Sequence, residues 1–170
     1  IGPALKESSR RLMALRDDLA RHKAMQILLP CLHDGPCPLW KVESRDEWCH
    51  QSVEWTVPEY LRIINEGLNR EIDLLKFSCV VAVKSKARQA MPDGFRVISR
   101  LLVEKGKARC FLCAEQGRVE LVRMDRSRSR INSDFGDIEK GNVVSIEKAV
   151  VRRPDYWEVV ESTAVRIVAP

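Results

Sequence analysis

The stretch Cys31-Leu32-His33-Asp34-Gly35-Pro36-Cys37, continued to Cys49 and His50, decides how the chain is organised. Residues 31–50 hold three thiols, Cys31, Cys37 and Cys49, and two imidazoles, His33 and His50. Thiolates and imidazoles are ligands that proteins use for zinc and for iron–sulfur clusters. A Gly-Pro turn folds a loop back, so that its thiols can converge. The stretch predicts a metal site, and a surface loop with reduced thiols is the alternative.

Composition limits the kind of protein that carries this loop. The chain has 170 residues, of which 45% are hydrophobic, enough for one ordinary core or two small ones. No apolar run approaches the length of about 18 residues that spans a membrane, and the N-terminus lacks the pattern of a secretory signal. We therefore expect a soluble protein with no membrane partner, whose cysteines are reduced or bound to metal rather than paired in disulfides.

Positive charge is concentrated in the second half of the chain. Residues 1–83 carry 11 Lys and Arg against 12 Asp and Glu, whereas residues 84–170 carry 18 against 12. The stretch with the densest positive charge, Arg118–Arg130, predicts contacts with an RNA backbone, although a solvated hairpin tip would have the same pattern. Its candidate RNA-binding residues are Arg118, Arg123, Arg126, Arg128 and Arg130.

The first half reads as alternating helices and buried strands. The apolar stripe of Leu5, Leu12, Leu15 and Leu19 predicts a helix over Pro3–Arg21, and a second helix is predicted to begin at Pro58. The apolar runs Met25–Leu29 and Phe77–Val83 predict buried strands. Residues 1–84 are thus expected to form the closing part of an α/β sheet, with the cysteine loop at the end of a strand.

The second half reads as a small β-domain over residues 95–170, joined through a linker at residues 85–94. Alternating β-branched residues and frequent turn signals predict about five strands that form a small β-barrel or a curled sheet. The candidate strands are Phe95–Val103, Ala108–Ala114, Val119–Met124, Asn142–Val151 and Trp157–Val168.

A fourth metal ligand could come from the β-domain. Cys79 lies in an apolar strand, where a buried structural thiol is expected. Cys110 and Cys113 are three positions apart on a strand and should face opposite sides, so at most one reaches the loop. The spacing of the cysteines does not match a zinc ribbon and suits a cubane cluster better. Zinc held by three cysteines and His33 or His50 stays open.

Four segments, taken in order, carry a family resemblance. They are Pro30–Pro38, Asp46-Glu47-Trp48-Cys49-His50, Leu75–Ser78 and Leu112-Cys113-Ala114-Glu115-Gln116-Gly117. Together they resemble the methyltransferase-like family of small-ribosomal-subunit assembly factors, which has mitochondrial and bacterial members. The resemblance runs from about Pro3 to Gly117.

The resemblance implies a class I methyltransferase fold followed by a β-domain, with a [4Fe–4S] cluster bound by four cysteines. The implied ligands are Cys31, Cys37, Cys49 and Cys113, with Cys110 in reserve and His33 and His50 in structural roles. The implied partner is rRNA or the small ribosomal subunit. The implied location is the bacterial cytoplasm or, in a eukaryote, the mitochondrial matrix.

The sequence lacks the glycine-rich turn with which methyltransferases bind S-adenosylmethionine, since its eight glycines form no Gly-x-Gly-x-x-Gly. We therefore expect these residues not to be an enzyme by themselves, and S-adenosylmethionine to be a cofactor only of a full-length protein. A zinc-stapled protein-interaction module without an RNA role is the alternative function.

Overall fold

The first half of the chain combines two helices with short antiparallel strands. The computed structural model describes residues 1–22, 25–40, 48–70, 74–84 and 89–169. The elements are β1 (Gly2–Pro3), α1 (Lys6–Arg21), β2 (Met25–Leu29), β3 (Gln51–Glu54), α2 (Glu59–Gly67), β4 (Leu74–Ser78) and β5 (Val81–Lys84), with a 3-10 turn at Pro38–Trp40. Residues 41–47 of the predicted cysteine loop, which include Asp46 and Glu47, and residues 85–88 of the predicted linker lie outside the described residues.

These strands form two small sheets. One sheet has the order β1-β4-β3, and the other is the pair β2-β5. All pairings are antiparallel. The predicted strand Phe77–Val83 is therefore two strands, and the chain changes sheets at Cys79 and Val80.

Helix α1 differs from the prediction in its start and in its buried face. It begins at Lys6 because Pro3 pairs with Phe77 in β1. Its buried positions are Ser9, Met13 and Arg16, whereas the predicted apolar stripe includes Leu5 and Leu15, which are 64% and 50% exposed. Polar contacts described below, rather than the leucines, decide which face turns inward.

The second half is one eight-stranded sheet in the order β11-β12-β9-β8-β6-β10-β13, with β7 paired to β8. Its strands are β6 (Phe95–Val97), β7 (Leu102–Glu104), β8 (Lys107–Ala114), β9 (Gly117–Met124), β10 (Val143–Glu147), β11 (Val150–Arg153), β12 (Tyr156–Val159) and β13 (Ala164–Ala169), with 3-10 helices at Asp125–Ser127 and Arg130–Asp137. Within the described residues the end strands β11 and β13 do not pair, so the sheet is open and not a closed barrel.

Three of the five predicted strands are each split in two. The first is interrupted around Ser99, whose hydroxyl accepts the Phe111 N–H at 2.9 Å in place of a strand partner. The second is interrupted at Lys148, which has a φ of 61°. A turn closed by Thr163 breaks the third. Local turn geometry, rather than a change of apolar pattern, ends these strands.

The core of the β-domain follows from the alternation along β8. Alternate residues of this strand are buried, from Ala108 through Cys110 and Leu112 to Ala114. They meet Leu121 of the neighbouring strand and residues of the later strands in one hydrophobic cluster. At the start of β6, Gly94 has a φ of +149°, and a Cβ there would lie 2.5 Å from the Val144 carbonyl oxygen.

The structure confirms a mixed α/β protein with most of its sheet in the second half. The domain boundaries at residues 84 and 95 stay a prediction. No helix in the described part of the chain is both long and apolar enough to cross a membrane.

Candidate metal centre

Four cysteines line one cavity of about 240 Å³ between the two halves. Cys31, Cys37 and Cys49 come from the first half, and Cys113 comes from β8. The remainder of the lining is mostly apolar and comprises Met13, Leu39, Trp48, His50, Ile98, Ser99, Phe111 and Arg118. The thiols that sequence spacing grouped therefore meet a fourth thiol from the β-domain.

The alternation of β8 separates Cys113 from Cys110. Cys110 is fully buried in the hydrophobic cluster of the β-domain, whereas Cys113 lies on the opposite face of the strand and lines the cavity. Burial alone raises the pKa of Cys110 to about 12, and no neighbouring charge contributes. The pKa of the Cys113 thiol, in contrast, is raised by burial and also by the charges of Cys31 and Cys37. Of the two, only Cys113 is positioned to bind a group in the cavity.

Arg16 of α1 holds the loop that carries Cys31 and Cys37. Its guanidinium is fully buried and donates to the backbone carbonyls of His33 and Gly35. It also pairs with Asp17 at 2.8 Å. A planar cation with five N–H donors can satisfy several carbonyls at once. The Asp17 carboxylate in turn accepts the Cys37 N–H at 3.0 Å, which fixes the turn between the two cysteines.

A second network positions Cys49. The Ser78 hydroxyl of β4 donates to the Cys49 carbonyl at 2.9 Å and is itself hydrogen-bonded to Ser9 of α1. The Trp48 indole N–H donates to the Ala4 carbonyl at 2.9 Å. These bonds tie the segment of Cys49 to the N-terminal end of α1, while Arg16 further along the same helix ties the loop of Cys31 and Cys37. One helix therefore orients three of the four thiols.

The thiols are costly to ionise without a cation in the cavity. Burial raises the pKa of Cys37 to about 11 and that of Cys113 to about 12. Burial also raises the pKa of Cys31 and, most strongly, that of Cys49, and nearby thiolates add to both Cys37 and Cys49. A bound cation reverses this penalty, because it coordinates the thiolates and displaces their protons.

Two arginines, the buried Arg16 and the partly buried Arg96, supply positive charge beside the thiols. The Arg16 guanidinium lowers the pKa of Cys31 against the effect of burial, and Arg96 of β6 acts in the same sense on Cys31 and Cys113. Arg96 donates to the Gly141 carbonyl at 2.5 Å, while its Nε is buried without a partner in the described structure. Together these guanidiniums favour an anionic thiolate-bound group in the cavity.

A single metal ion and a cluster require different arrangements of the thiols. Tetrahedral zinc with bonds of about 2.3 Å needs sulfurs about 3.8 Å apart. Among the described residues, no three His, Cys, Asp or Glu side chains are arranged to hold one metal ion. A [4Fe–4S] cluster needs four thiolates that each bind a separate iron, and the described residues supply four thiols around one cavity.

The two histidines of the motif have different surroundings. His50 lines the cysteine cavity, and its Nδ1 lies 3.2 Å from the Trp48 carbonyl oxygen. His33 does not line that cavity, and both of its ring nitrogens are buried without a partner in the described structure. Burial lowers the pKa of both rings, with Arg16 adding to the effect on His33. A neutral imidazole suits a structural residue and a metal ligand equally, so the roles of His33 and His50 stay a prediction.

The five arginines singled out for RNA binding do not form one surface. Arg118 lies on Phe111 at 4.4 Å from its ring centre and lines the cysteine cavity. Arg123 is only 7% exposed, and it donates to the Asn132 carbonyl at 2.8 Å. The prediction of a surface position is wrong for Arg123, because β9 turns its side chain inward. The exposed members are Arg126, Arg128 and Arg130.

Arg126 and Arg130 lie on the two 3-10 helices that follow β9, and Arg128 lies between these helices, so the exposed arginines are not on a hairpin tip. Arg128 pairs with Asp125 at 2.9 Å. The 3-10 helix Arg130–Asp137 is capped by Ser129 and Asn132, whose side chains each bond to the other's backbone.

Sequence reasoning missed Arg16, Asp17 and Arg96. No motif marks them, since an arginine inside an amphipathic helix is usually solvated. The one available signal was position, because Arg16 follows the buried Met13 by three residues on α1 and therefore shares its face.

A family comparison agrees with the motif-based resemblance. Residues 1–143 match the model of the family described as mitochondrial small ribosomal subunit Rsm22. No curated protein matches the chain significantly. The match spans the cysteine loop and Cys113, so it confirms the resemblance carried by those segments. The chain belongs to the mitochondrial small ribosomal subunit Rsm22 family, a methyltransferase-like family.

Proposed function

We propose that this chain is the [4Fe–4S]-binding, RNA-binding region of a methyltransferase-like protein that acts in small-ribosomal-subunit assembly or rRNA modification. Membership of the Rsm22 family supports a role in small-subunit assembly or a methyltransferase-like function. The observation that supports a bound cluster is that one cavity is lined by Cys31, Cys37, Cys49 and Cys113.

The proposed cluster is a structural group. Bound by the four thiolates, it would supply a rigid covalent link between the first half and the β-domain. Arg16 and Arg96 would balance the negative charge of the thiolates, and the apolar side chains of the cavity would keep water away. The thiols must lose their protons as the group binds.

The first half is proposed to be the closing part of a class I methyltransferase sheet. Support comes from the match of residues 1–143 to the Rsm22 family and from the succession of helix α1 and strand β2. S-adenosylmethionine is proposed as a cofactor of a full-length protein only. The residues present have no glycine-rich turn for it.

The partner is proposed to be rRNA of the small subunit. The net charge of +5 and the exposed Arg126, Arg128 and Arg130 support contact with a phosphate backbone. The family name points to the mitochondrial matrix if the protein is eukaryotic, and the bacterial cytoplasm is proposed otherwise.

The test is metal analysis of protein purified without oxygen. We expect about four irons and four sulfides per chain, lost in Cys113→Ala and kept in the matched variant Cys110→Ala. About one zinc per chain without sulfide would contradict the cluster and favour the alternative function, a zinc-stapled protein-interaction module. Protein without any metal would reject both proposals.

A further inference from the structure

A basic groove runs beside the cysteine cavity. It has a volume of about 760 Å³ and lies between the β1-β4-β3 sheet and the β-domain. Ser52 and Lys76 form one wall as directly paired residues of β3 and β4. Arg100 and Lys140 come from the β-domain side.

The cations of this groove, Lys76, Arg100 and Lys140, outnumber its two carboxylates, Glu54 and Glu139. Within the described residues these three cations take part in no ion pair. Burial lowers the pKa of the half-buried Lys140; the Cys49 thiol opposes this effect, and the charge of Lys76 adds to it. The two ammonium groups thus repel each other across a partly desolvated space. An anion between them would remove that repulsion.

We propose that this groove binds the sugar-phosphate backbone of a single-stranded RNA segment. That the ligand is RNA rests on the proposed function. That the groove contacts the RNA backbone rests on the side chains that line the groove. Lysine and arginine are the usual partners of phosphate oxygens, and the Ser52 hydroxyl can donate to the same group. The described lining residues include no Phe, Tyr or Trp, and His50 is their one aromatic ring. Contacts to the backbone therefore outnumber stacking contacts to bases, and we expect binding to depend little on base sequence.

The groove is connected to the metal centre. His50 and Ser99 line both the groove and the cysteine cavity. His50 follows Cys49 directly in the sequence, so the position of Cys49 fixes part of the groove wall. An RNA segment in the groove passes over the edge of the cavity.

The experiment measures binding of a fluorescein-labelled uridine oligomer to the intact chain by anisotropy, over a range of salt concentrations. We expect Lys76→Ala and Lys140→Ala each to weaken binding several-fold and to lower the salt slope by about one. Lys76→Arg and Lys140→Arg should bind like the original protein. Lys105→Ala is the matched control, because Lys105 is exposed in the turn between β7 and β8, outside the groove.

Three results would contradict the proposed RNA-binding site in the groove. They are an equal loss in Lys105→Ala, no loss in the groove variants, or displacement of the RNA by inorganic phosphate beyond the effect of chloride at equal ionic strength. The last result would identify a site for free phosphate instead.

Iron and sulfide are measured on the same samples. Iron-free protein that still binds RNA through Lys76 and Lys140 would reject the proposed cluster and keep the groove. Fully loaded protein whose RNA binding is unchanged in the groove variants would keep the cluster and reject the groove.

Discussion

The buried guanidinium of Arg16 donates a hydrogen bond to the backbone carbonyl of Gly35, at the turn between Cys31 and Cys37. The Arg16 side chain thereby donates hydrogen bonds to loop carbonyls that have no donor in the irregular backbone. A neighbouring strand supplies such donors in a sheet. The loop and α1 should accordingly behave as one unit in folding and in metal binding.

Arg16→Met should destabilise the protein and impair metal binding together. The change leaves the carbonyls of His33 and Gly35 buried without their donor, and each such group costs about 1–3 kcal/mol. We expect the free energy of unfolding to fall by about 2–5 kcal/mol in urea titrations, with less iron per chain. Arg11→Met is the matched control, because Arg11 pairs with Glu7 on the exposed side of the same helix. Equal stability of the two variants would contradict the role of Arg16.

Substitution of Arg123 should lower stability without changing RNA affinity, whereas substitution of the exposed Arg126 should leave stability unchanged. Arg123→Met leaves the buried Asn132 carbonyl without its donor and removes the stacking on Phe135. We expect a loss of about 1–3 kcal/mol in the free energy of unfolding and no change in the RNA affinity of the folded protein. Arg126→Met should keep its stability, because its side chain is exposed. If Arg123→Met weakened RNA binding without loss of stability, the buried placement of Arg123 would be contradicted.

The convergence of Cys31, Cys37 and Cys49 on one cavity could be predicted from sequence, because the three thiols and a Gly-Pro turn lie within 20 residues. That these thiols bind a metal stays a prediction. Period-two alternation on β8 sufficed to state that Cys110 and Cys113 face opposite sides. The helices Lys6–Arg21 and Glu59–Gly67 were likewise expected from apolar periodicity, although their ends are shifted and the first helix buries a different face.

The rest of the site depends on contacts between distant segments. Helix α1 turns Ser9 and Arg16 inward because Ser78 and the loop carbonyls lie opposite, which no periodicity of leucines predicts. Arg96 acts on the pKa of Cys31 in the other half of the chain, and the basic groove is lined from both halves, so neither can be predicted from one segment. The inward turn of Arg123 depends on Asn132 and on the register of β9, so a count of arginines could not identify it.

Gly94 should not tolerate a side chain. Its φ of +149° is poorly accessible to other residues, and an added Cβ would lie 2.5 Å from the Val144 carbonyl oxygen. Gly94→Ala must therefore shift the backbone at the start of β6, and we expect a loss of at least about 1–3 kcal/mol in the free energy of unfolding. Gly136→Ala is the control, since nothing lies within 4 Å of its added Cβ. Thermal unfolding of both variants measures the difference, and equal melting temperatures would contradict the close approach at Gly94.

The metal-free chain should lose stability in alkaline solution through its buried thiols. Burial raises the pKa of Cys37 from 9.0 to about 11. Below the unfolded pKa both states are protonated, and the contribution of Cys37 is fully present. Above that value the unfolded chain releases a proton that the folded chain retains, so the free energy of unfolding falls as pH rises towards the folded pKa.

For this single thiol the total fall is at most about 3 kcal/mol. Urea titrations of reduced, metal-free protein from about pH 8 to pH 11 measure it, with Cys37→Ser as the comparison. Serine does not titrate in this range, so the variant should show a shallower decline than the original protein, while lysines and tyrosines contribute equally to both. Parallel declines would mean that the Cys37 thiol ionises as readily in the folded chain as in the unfolded one. The cavity would then be open to water, and the burial that favours a bound cation at the four thiols would be absent.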